Sequence, residues 1–403
     1  MTRHGKWWLA VAAALAMGSA QAQISDGVVK IGVLNDQSGT YADLAGPGSV
    51  VAARMAIDDS GVLKRGMKVD LVVADHQNKP EVGSSIARQW YDVDKVDVIV
   101  DVPTSSVALA VNQITKDKNK VLLVSTGATS DLYGKACTPN TIHWTYDTWS
   151  LANGTGSAIV KTGGKSWFFL TADYAFGHAL ERDTEAVVIK NGGKVVGKVR
   201  HPFPSADFSS FLLQAQASKA QIIGLANAGA DTINAIKQGA EFGIVKAGQQ
   251  FAGLLVFLTD VRALGLERAQ GLLMTEAFYW DLNDATRAFS KRFAAQHKGA
   301  MPTMGQAGVY SAVLHYLKAV EALKSDASGT QVVAKMKELP TDDPVFGKGS
   351  VRVDGRKLHN MYLFEVKKPS ESKGDWDYYK LRATIPAAEA FRPEKDGGCP
   401  LVK

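Results

Sequence analysis

The stretch VIVDVPTSSVALAV, residues 98–111, carries the pattern that decides the fold. Val98–Val100 form a β-branched run of the kind found in buried strands. The run ends at Pro103, small hydroxyl residues follow, and the apolar residues from Val107 onward predict a helix. A helix that starts directly after a strand has unpaired N–H groups in its first turn. The stretch therefore predicts a strand, a turn that can hydrogen-bond, and a helix.

The same alternation continues on both sides of this turn, which predicts an α/β fold with parallel sheets. The first series has predicted strands at 28–34, 68–75, 96–102 and 120–126 and helices at 49–59, 80–92 and 106–116. The second has predicted strands at 166–173, 194–201, 220–227 and 250–257 and helices at 178–190, 208–218 and 230–242. Helices at 287–298 and 305–324 and antiparallel strands after residue 343 complete the pattern.

Residues 1–22 have the features of a secretory signal peptide. Arg3 and Lys6 precede an apolar core from Trp7 to Met17, and Ala20-Gln21-Ala22 suits signal peptidase. The core is too short to span a bilayer comfortably. We therefore expect cleavage after Ala22 and a soluble protein in the periplasm.

The composition of the 403-residue chain is that of a globular protein with enough length for two domains, and 46% of the residues are hydrophobic. The net charge of +6 is spread along the chain without a Lys/Arg block, so no nucleic-acid partner is expected. Cys137 and Cys399 are the two cysteines. In an exported protein they predict one disulfide, the alternative being two buried free thiols.

Ligands of open α/β sheets bind beyond the carboxyl ends of the strands, and several of these ends are rich in glycine and hydroxyl residues. The motifs there are QSGTYADLAGPG (37–48), VPTSSVALAV (102–111), VSTGATSDL (124–132), ADYAFG (172–177) and LANAGADT (225–232). Their ordered series resembles the periplasmic solute-binding proteins of the branched-chain amino-acid transporter type, from about residue 28 to residue 385. CTPNTIHWTYDTWSLANGTG (137–156) and EAFYWDLN (276–283) are most similar to members that bind aromatic and other organic carboxylates.

The resemblance implies a type I periplasmic binding protein fold with two lobes, each built on a mostly parallel sheet flanked by helices. Crossovers are expected near 143–147, 276–280 and 339–343. Lobe I would comprise 23–146 and 277–340, lobe II 147–276 and 341–385, and a tail 386–403. The implied partners are a small carboxylate and the permease subunits of an ABC transporter in the inner membrane, with the binding protein a monomer.

The resemblance also assigns a carboxylate site to two turns. One contains Thr104 and Ser105 and the other Gly127, Ala128 and Thr129, with the hydroxyls of Thr104 and Thr129 as the leading donors. Hydroxyls and N–H groups at helix starts suit a desolvated carboxylate. Helix capping by the same residues is the alternative role.

Other positions bear on the rest of the ligand. Leu255 stands where amino-acid binders of the family have an acid for the ligand's ammonium group, so α-amino acids are expected to bind poorly. Asp231 could supply that charge, or it could cap the helix that begins there. Tyr174, Phe176 and Asn227 on lobe II, and Tyr279 at the second crossover, are the remaining predicted ligand contacts.

The sequence does not favour an enzyme. Gly46-Pro47-Gly48 lies too far from its strand for a dinucleotide loop, and no G-x-S-x-G or H-E-x-x-H motif occurs. No cofactor or metal site is expected. The sequence thus predicts a receptor for a small, non-amino carboxylate, with a ligand sensor for a signalling system or an amino-acid binder as alternatives.

Overall fold

A computed structural model describes residues 24–403, so the predicted signal peptide lies outside the described residues. The first sheet is parallel, with strand order β2-β1-β3-β4-β5. Its strands are β1 (Val29–Asn35), β2 (Val69–Asp75), β3 (Val98–Asp101), β4 (Val121–Val124) and β5 (Thr141–His143). The helices between them are α1 (Gly46–Ser60), α2 (Pro80–Asp92) and α3 (Ser105–Asp117).

A second parallel sheet has the order β7-β6-β8-β9. It is entered through α4 (Thr148–Leu151), a π-helical turn (Ala152–Gly156) and α5 (Ser157–Lys161). Its strands are β6 (Ser166–Ala172), β7 (Lys194–His201), β8 (Ile222–Ala226) and β9 (Gln250–Gly253). The helices associated with it are α6 (Ala175–Lys190), α7 (Ser209–Ala217), α8 (Ala230–Glu241), α9 (Leu258–Leu264) and α10 (Leu266–Ala269).

The last part of the chain is antiparallel in its strands, as predicted. The sheet β10-β14-β15 joins β10 (Leu273–Glu276), β14 (Met361–Val366) and β15 (Tyr379–Ile385). The sheet β11-β12-β13 joins β11 (Thr341–Asp343), β12 (Gly347–Val351) and β13 (Lys357–Leu358). The helices here are α11 (Asp284–Gln296), α12 (Met304–Leu323), α13 (Gly329–Glu338) and α14 (Ala387–Ala390).

Two observed elements differ from the predicted ones. The apolar run 250–257 is a strand only to Gly253, and Leu254–Phe257 are buried in a loop instead. Helix α13 was not predicted, although Val332, Val333 and Met336 form its buried face. The lobe boundaries stay a prediction. Lys337 of α13, in predicted lobe I, donates a hydrogen bond to the backbone carbonyl of residue 353 in the β12–β13 hairpin, which the prediction places in lobe II.

The structure contains the predicted disulfide. Cys137 and Cys399 are bonded, with their Cα atoms 5.6 Å apart. The bond joins the C-terminal tail to the segment that follows β4. Over residues 24–403, none of the helices has both the length and the apolar composition required to cross a bilayer.

Candidate functional site

A small, partly open cavity lies between the carboxyl ends of the two parallel sheets, and its volume of about 10 Å³ leaves room for about one water molecule. The first-sheet side contributes Tyr41, Leu44, Pro103, Thr126 and Ala128, the second-sheet side Tyr174, Phe176, Ala228, Leu255 and Phe257, and the first crossover Tyr146. None of these lining side chains, within the described part of the chain, carries a formal charge. The mainly apolar lining suits the apolar body of a small ligand, and the cavity would have to widen to admit one.

The turn after β3 is strained where it meets the cavity. Asp101 and Val102 have φ values of 84° and 50°, in the left-handed region that a β-branched residue rarely adopts. This conformation directs the carbonyl of Asp101 toward the end of β4, where the N–H of Ser125 donates to it at 3.1 Å. Such strain costs about 1–3 kcal/mol per residue and is concentrated at binding sites.

Three long helices begin at this cavity without a side-chain cap. Thr104, Tyr174 and Gly229 are the N-cap residues of α3, α6 and α8, and none of their side chains bonds a first-turn N–H group. The N–H groups of each first turn are therefore left without an intrahelical partner. Pro103, Tyr174 and Ala228, which line the cavity, lie at or next to the starts of these helices, and helix N-termini favour anions.

The hydroxyl of Thr104, a predicted ligand donor, is engaged elsewhere. It donates to the side-chain oxygen of Asn78, whose amide in turn donates to Asp36 at 2.5 Å. Thr104 is fully buried and does not line the cavity. Asp36 also accepts the N–H of Tyr41 at 2.8 Å. Thr104 thus belongs to the network that positions the loop carrying Tyr41.

The second predicted turn combines capping with cavity lining. The hydroxyl of Ser105 accepts the N–H of Thr129 at 3.2 Å, so the two turns are joined directly. The hydroxyl of Thr129 accepts the N–H of Asp131 at 3.4 Å, which is the capping role. A Cβ atom on Gly127 would lie 2.5 Å from the carbonyl oxygen of Val102, so the close approach of the turns requires glycine. Ala128 is the member of this turn that lines the cavity.

Aromatic rings close the cavity from both sides. The hydroxyls of Tyr41 and Tyr174 lie 2.5 Å apart. Phe203 stacks on Tyr174 with ring centroids 4.4 Å apart and on Tyr41 at 5.3 Å. Neither Tyr41 nor Phe203 was among the predicted site residues. Phe203 follows β7 in a proline-containing loop with no periodic pattern, so no local pattern indicated it.

Polar contacts also join the two sides next to the cavity. Asp183 on α6 accepts from the hydroxyl of Ser130, which follows β4, at 2.7 Å. On its own side it also accepts from the hydroxyl of Thr148 of α4 at 2.6 Å. Arg182 forms an ion pair with Asp131 at 3.3 Å. These contacts join the segment that follows β4 to α6 of the second sheet.

Two predicted ligand residues, Asn227 and Tyr279, do not line the cavity. The amide of Asn227 donates to His201 at 3.1 Å and its oxygen accepts from Thr232 at 2.7 Å. The hydroxyl of Tyr279 donates to the carbonyl of Trp376 at 3.0 Å, and its ring stacks on Tyr379. The polar groups of both residues are paired within the fold, which explains their burial.

Asp231, for which two roles were open, lies in the first turn of α8 and does not line the cavity. One carboxyl oxygen accepts the N–H of Ser205 at 3.0 Å, and the other lies 3.9 Å from Nδ1 of His201. Burial raises the pKa of Asp231 to about 7. Asp231 therefore holds the loop that carries Phe203.

Asp101, beneath the strained turn, gives a testable pH dependence. Its carboxylate accepts from Asn35 at 2.8 Å and from Thr126, and burial raises its pKa to about 7. Between about pH 4 and pH 7, Asp101 keeps its proton in the folded protein but has lost it in the unfolded chain. The stabilisation that this bound proton gives to the folded state is therefore lost as the pH rises through 7.

We expect the titration of Asp101 to lower the free energy of unfolding by about 1.4 kcal/mol when the pH is raised from 6 to 8. Urea unfolding at both pH values should show that the free energy of unfolding decreases less from pH 6 to pH 8 in the Asp101→Asn variant than in the wild type. An identical decrease in both proteins would contradict the assignment.

Comparisons with known proteins agree with this architecture. The profile of a family described as periplasmic binding protein matches residues 28–375. A periplasmic binding protein from Burkholderia mallei is 51% identical, with a TM-score of 0.91 over 94% of this chain and 100% of that chain. This similarity confirms the predicted fold class of parallel sheets flanked by helices.

Two further solved structures are similar over most of their length. A branched-chain amino-acid ABC transporter periplasmic ligand-binding protein from Burkholderia xenovorans LB400 is 44% identical, with a TM-score of 0.82 over 93% of this chain and 100% of that chain. An ABC-transporter solute-binding protein from R. palustris, in complex with benzoate, is 22% identical, with a TM-score of 0.80 over 90% of this chain and 97% of that chain. The latter likeness is one of fold alone.

Proposed function

Because the chain belongs to the periplasmic binding protein family, whose members are substrate-binding proteins and not enzymes, we propose that it captures a small non-amino carboxylate for an ABC importer. The family implies a location outside the cytoplasm. A cleaved signal peptide at residues 1–22 would deliver the protein to the periplasm, where its partner would be the importer's permease.

The observation that carries this proposal is that three helices, α3, α6 and α8, start without a side-chain cap beside residues that line an uncharged cavity. A carboxylate removed from water needs several hydrogen-bond donors, and the first turns of α3, α6 and α8 offer them together with favourable dipoles. No acid lines the cavity in the described residues, so the ammonium of an amino acid would be buried unpaired.

The apolar walls account for the rest of the ligand. Phe176 and Leu255 are 2% and 4% exposed and face the ligand space together with Tyr174. A compact hydrocarbon group or an aromatic ring gains favourable burial against such walls. The aromatic lining thus supports an aromatic or short apolar carboxylate over a sugar or a peptide.

Isothermal titration calorimetry with monocarboxylates of three to seven carbons and with amino acids tests the proposal. At least one carboxylate should bind, and it should raise the melting temperature, since a ligand that binds only the folded state stabilises it. Binding of amino acids alone would contradict the proposal.

Phe176→Ala should weaken the binding of that carboxylate by about tenfold or more, because a ring buried in the cavity is worth at least about 1.5 kcal/mol. Phe211→Ala provides a matched control, since Phe211 is partly buried on α7 and does not line the cavity. Equal affinities for the two variants would remove Phe176 from the site.

A further inference from the structure

The ring of Phe203 contacts both tyrosines of the cavity wall, although Phe203 itself does not line the cavity. We infer that Phe203 is a positioning residue for ligand binding, which holds the hydroxyl groups of Tyr41 and Tyr174 together and so completes a wall that the two sides of the cavity share. This inference rests on the proposed function and adds to it a residue that acts through the two tyrosines.

The two tyrosines come from opposite sides of the cavity. Tyr41 lies in the loop between β1 and α1, and Tyr174 is the N-cap residue of α6. Both line the cavity, and their hydroxyl oxygens lie 2.5 Å apart. Since one hydroxyl donates to the other, the pair keeps one phenolic proton for a ligand oxygen. A carboxylate that reaches this pair therefore contacts both sides of the cavity at one point.

Phe203 packs against both rings of this pair. Its ring centroid lies 4.4 Å from that of Tyr174 and 5.3 Å from that of Tyr41, with interplanar angles of 21° and 26°. Stacked rings at such distances attract one another. Among the aromatic rings that the structure describes, only Phe203 contacts both tyrosines in this way. Removal of this ring would leave each tyrosine freer to rotate away from the other.

The loop after β7, which carries this ring, is held at its start and in its middle. Because Nε2 of His201 accepts from the amide of Asn227 at 3.1 Å, its Nδ1 carries the proton and donates to the carbonyl of Pro202 at 2.8 Å. Further along, the N–H of Ser205 donates to the buried carboxyl group of Asp231 at 3.0 Å. The groups that hold the loop therefore lie at the end of β8 and in the first turn of α8, next to the cavity.

Gln238 of α8 holds the far end of the same loop. Its side-chain oxygen accepts the N–H of Phe208 at 2.8 Å, and its amide donates to the carbonyl of Ala206 at 2.8 Å. A proline stands on each side of Phe203 in the sequence, and proline restricts the backbone of a loop. The ring is thus carried by a stiff, anchored loop, which suits a residue that fixes the position of others.

Calorimetry with benzoate and 3-methylbutanoate, an aromatic and a branched monocarboxylate, tests the inference. Phe203→Ala should weaken the binding of the tighter of the two by at least about fivefold, because a hydrogen bond to the carboxylate is then poorly placed. Phe203→Tyr keeps the stacked ring and should bind as the wild type does. Phe211→Ala is the matched control, since Phe211 is also partly buried and its aromatic contacts are His201 and Phe208.

A double-mutant cycle distinguishes positioning from a general loss of packing. A protein with both Tyr41→Phe and Tyr174→Phe lacks the hydroxyl contact, so the further change Phe203→Ala should weaken its binding by less than about twofold. An equal loss in both backgrounds would show that Phe203 does not act through the tyrosine pair. If Phe203→Ala does not fold, Phe203→Leu, which keeps an apolar side chain without a ring, carries the same comparison.

The inference and the proposed function fail in different ways. If the wild type binds a carboxylate and folded Phe203→Ala binds it equally well, only the positioning role is wrong. If the wild type binds neither benzoate nor 3-methylbutanoate, the inference is overturned, and the wider series of monocarboxylates decides whether the proposed function fails with it.

Discussion

Replacing Arg356 with alanine should lower the free energy of unfolding by about 3–5 kcal/mol, because the change leaves a buried acid without its partner. Arg356 is fully buried, and its guanidinium donates to the carbonyls of Thr145 at 2.7 Å and His143 at 3.1 Å. Its Nε lies 3.5 Å from the buried carboxylate of Asp147. Phe391 of the tail covers the guanidinium with its ring, 4.0 Å away.

The first crossover, residues 143–147, is therefore held by one side chain from the turn that follows β12. Burial lowers the pKa of Arg356 to about 10, so it remains charged at neutral pH. Arg356→Lys should give an intermediate loss, because lysine keeps the charge but not the planar fork that reaches several carbonyls.

Denaturant unfolding followed by circular dichroism measures this loss. Arg382→Ala is the matched control, since Arg382 on β15 is about half exposed in its pair with Glu365 and should contribute less than about 1 kcal/mol. Equal midpoints for Arg356→Ala and Arg382→Ala would show that Arg356 does not hold the crossover.

The second large effect concerns the disulfide. Replacing Cys137 and Cys399 together by serine should destabilise the protein by about 2–4 kcal/mol, because the bond closes a loop of 262 residues in the unfolded chain. The tail also contacts the fold through Arg392, which donates to the carbonyl of Ser130 at 2.9 Å. We therefore expect the serine variant to fold and to unfold at a lower denaturant concentration than the wild type.

Thiol counting and unfolding curves check this expectation. Protein recovered from the periplasm should show no free thiol after denaturation, and two thiols after reduction. An unfolding midpoint that is the same for the wild type and the serine variant would contradict a stabilising role for the bond.

The alternation of strands and helices was predictable because each element carries its own apolar period. Helix α2 has the predicted bounds, 80–92, since Pro80 starts it and the buried Trp90 and Tyr91 lie in its last turns. The strand ends around the cavity were predictable for the same reason, which brought Ala128, Tyr174, Phe176 and Leu255 into the predicted site. Their roles as ligand contacts remain predictions.

What could not be predicted depends on contacts between distant segments. Phe203 stacks on Tyr41 and Tyr174, which line the cavity, and Asp231 accepts a hydrogen bond from its loop. Tyr41 is positioned by Asp36, which also binds Asn78. Tyr279 is aromatic and near a crossover, yet its hydroxyl is paired with the backbone of residue 376. Residue type and local pattern do not record such pairings, since they form only in the folded chain.

We propose that a carboxylate is captured between two lobes that close around it. Contacts such as Tyr41 with Tyr174 and Phe203 join the two sides only when the lobes are together, so a ligand held by both sides must favour the closed state. Small-angle X-ray scattering with and without a tightly bound carboxylate measures this closure. We expect the radius of gyration to fall on binding, and an unchanged radius with a saturating ligand would contradict closure of the lobes.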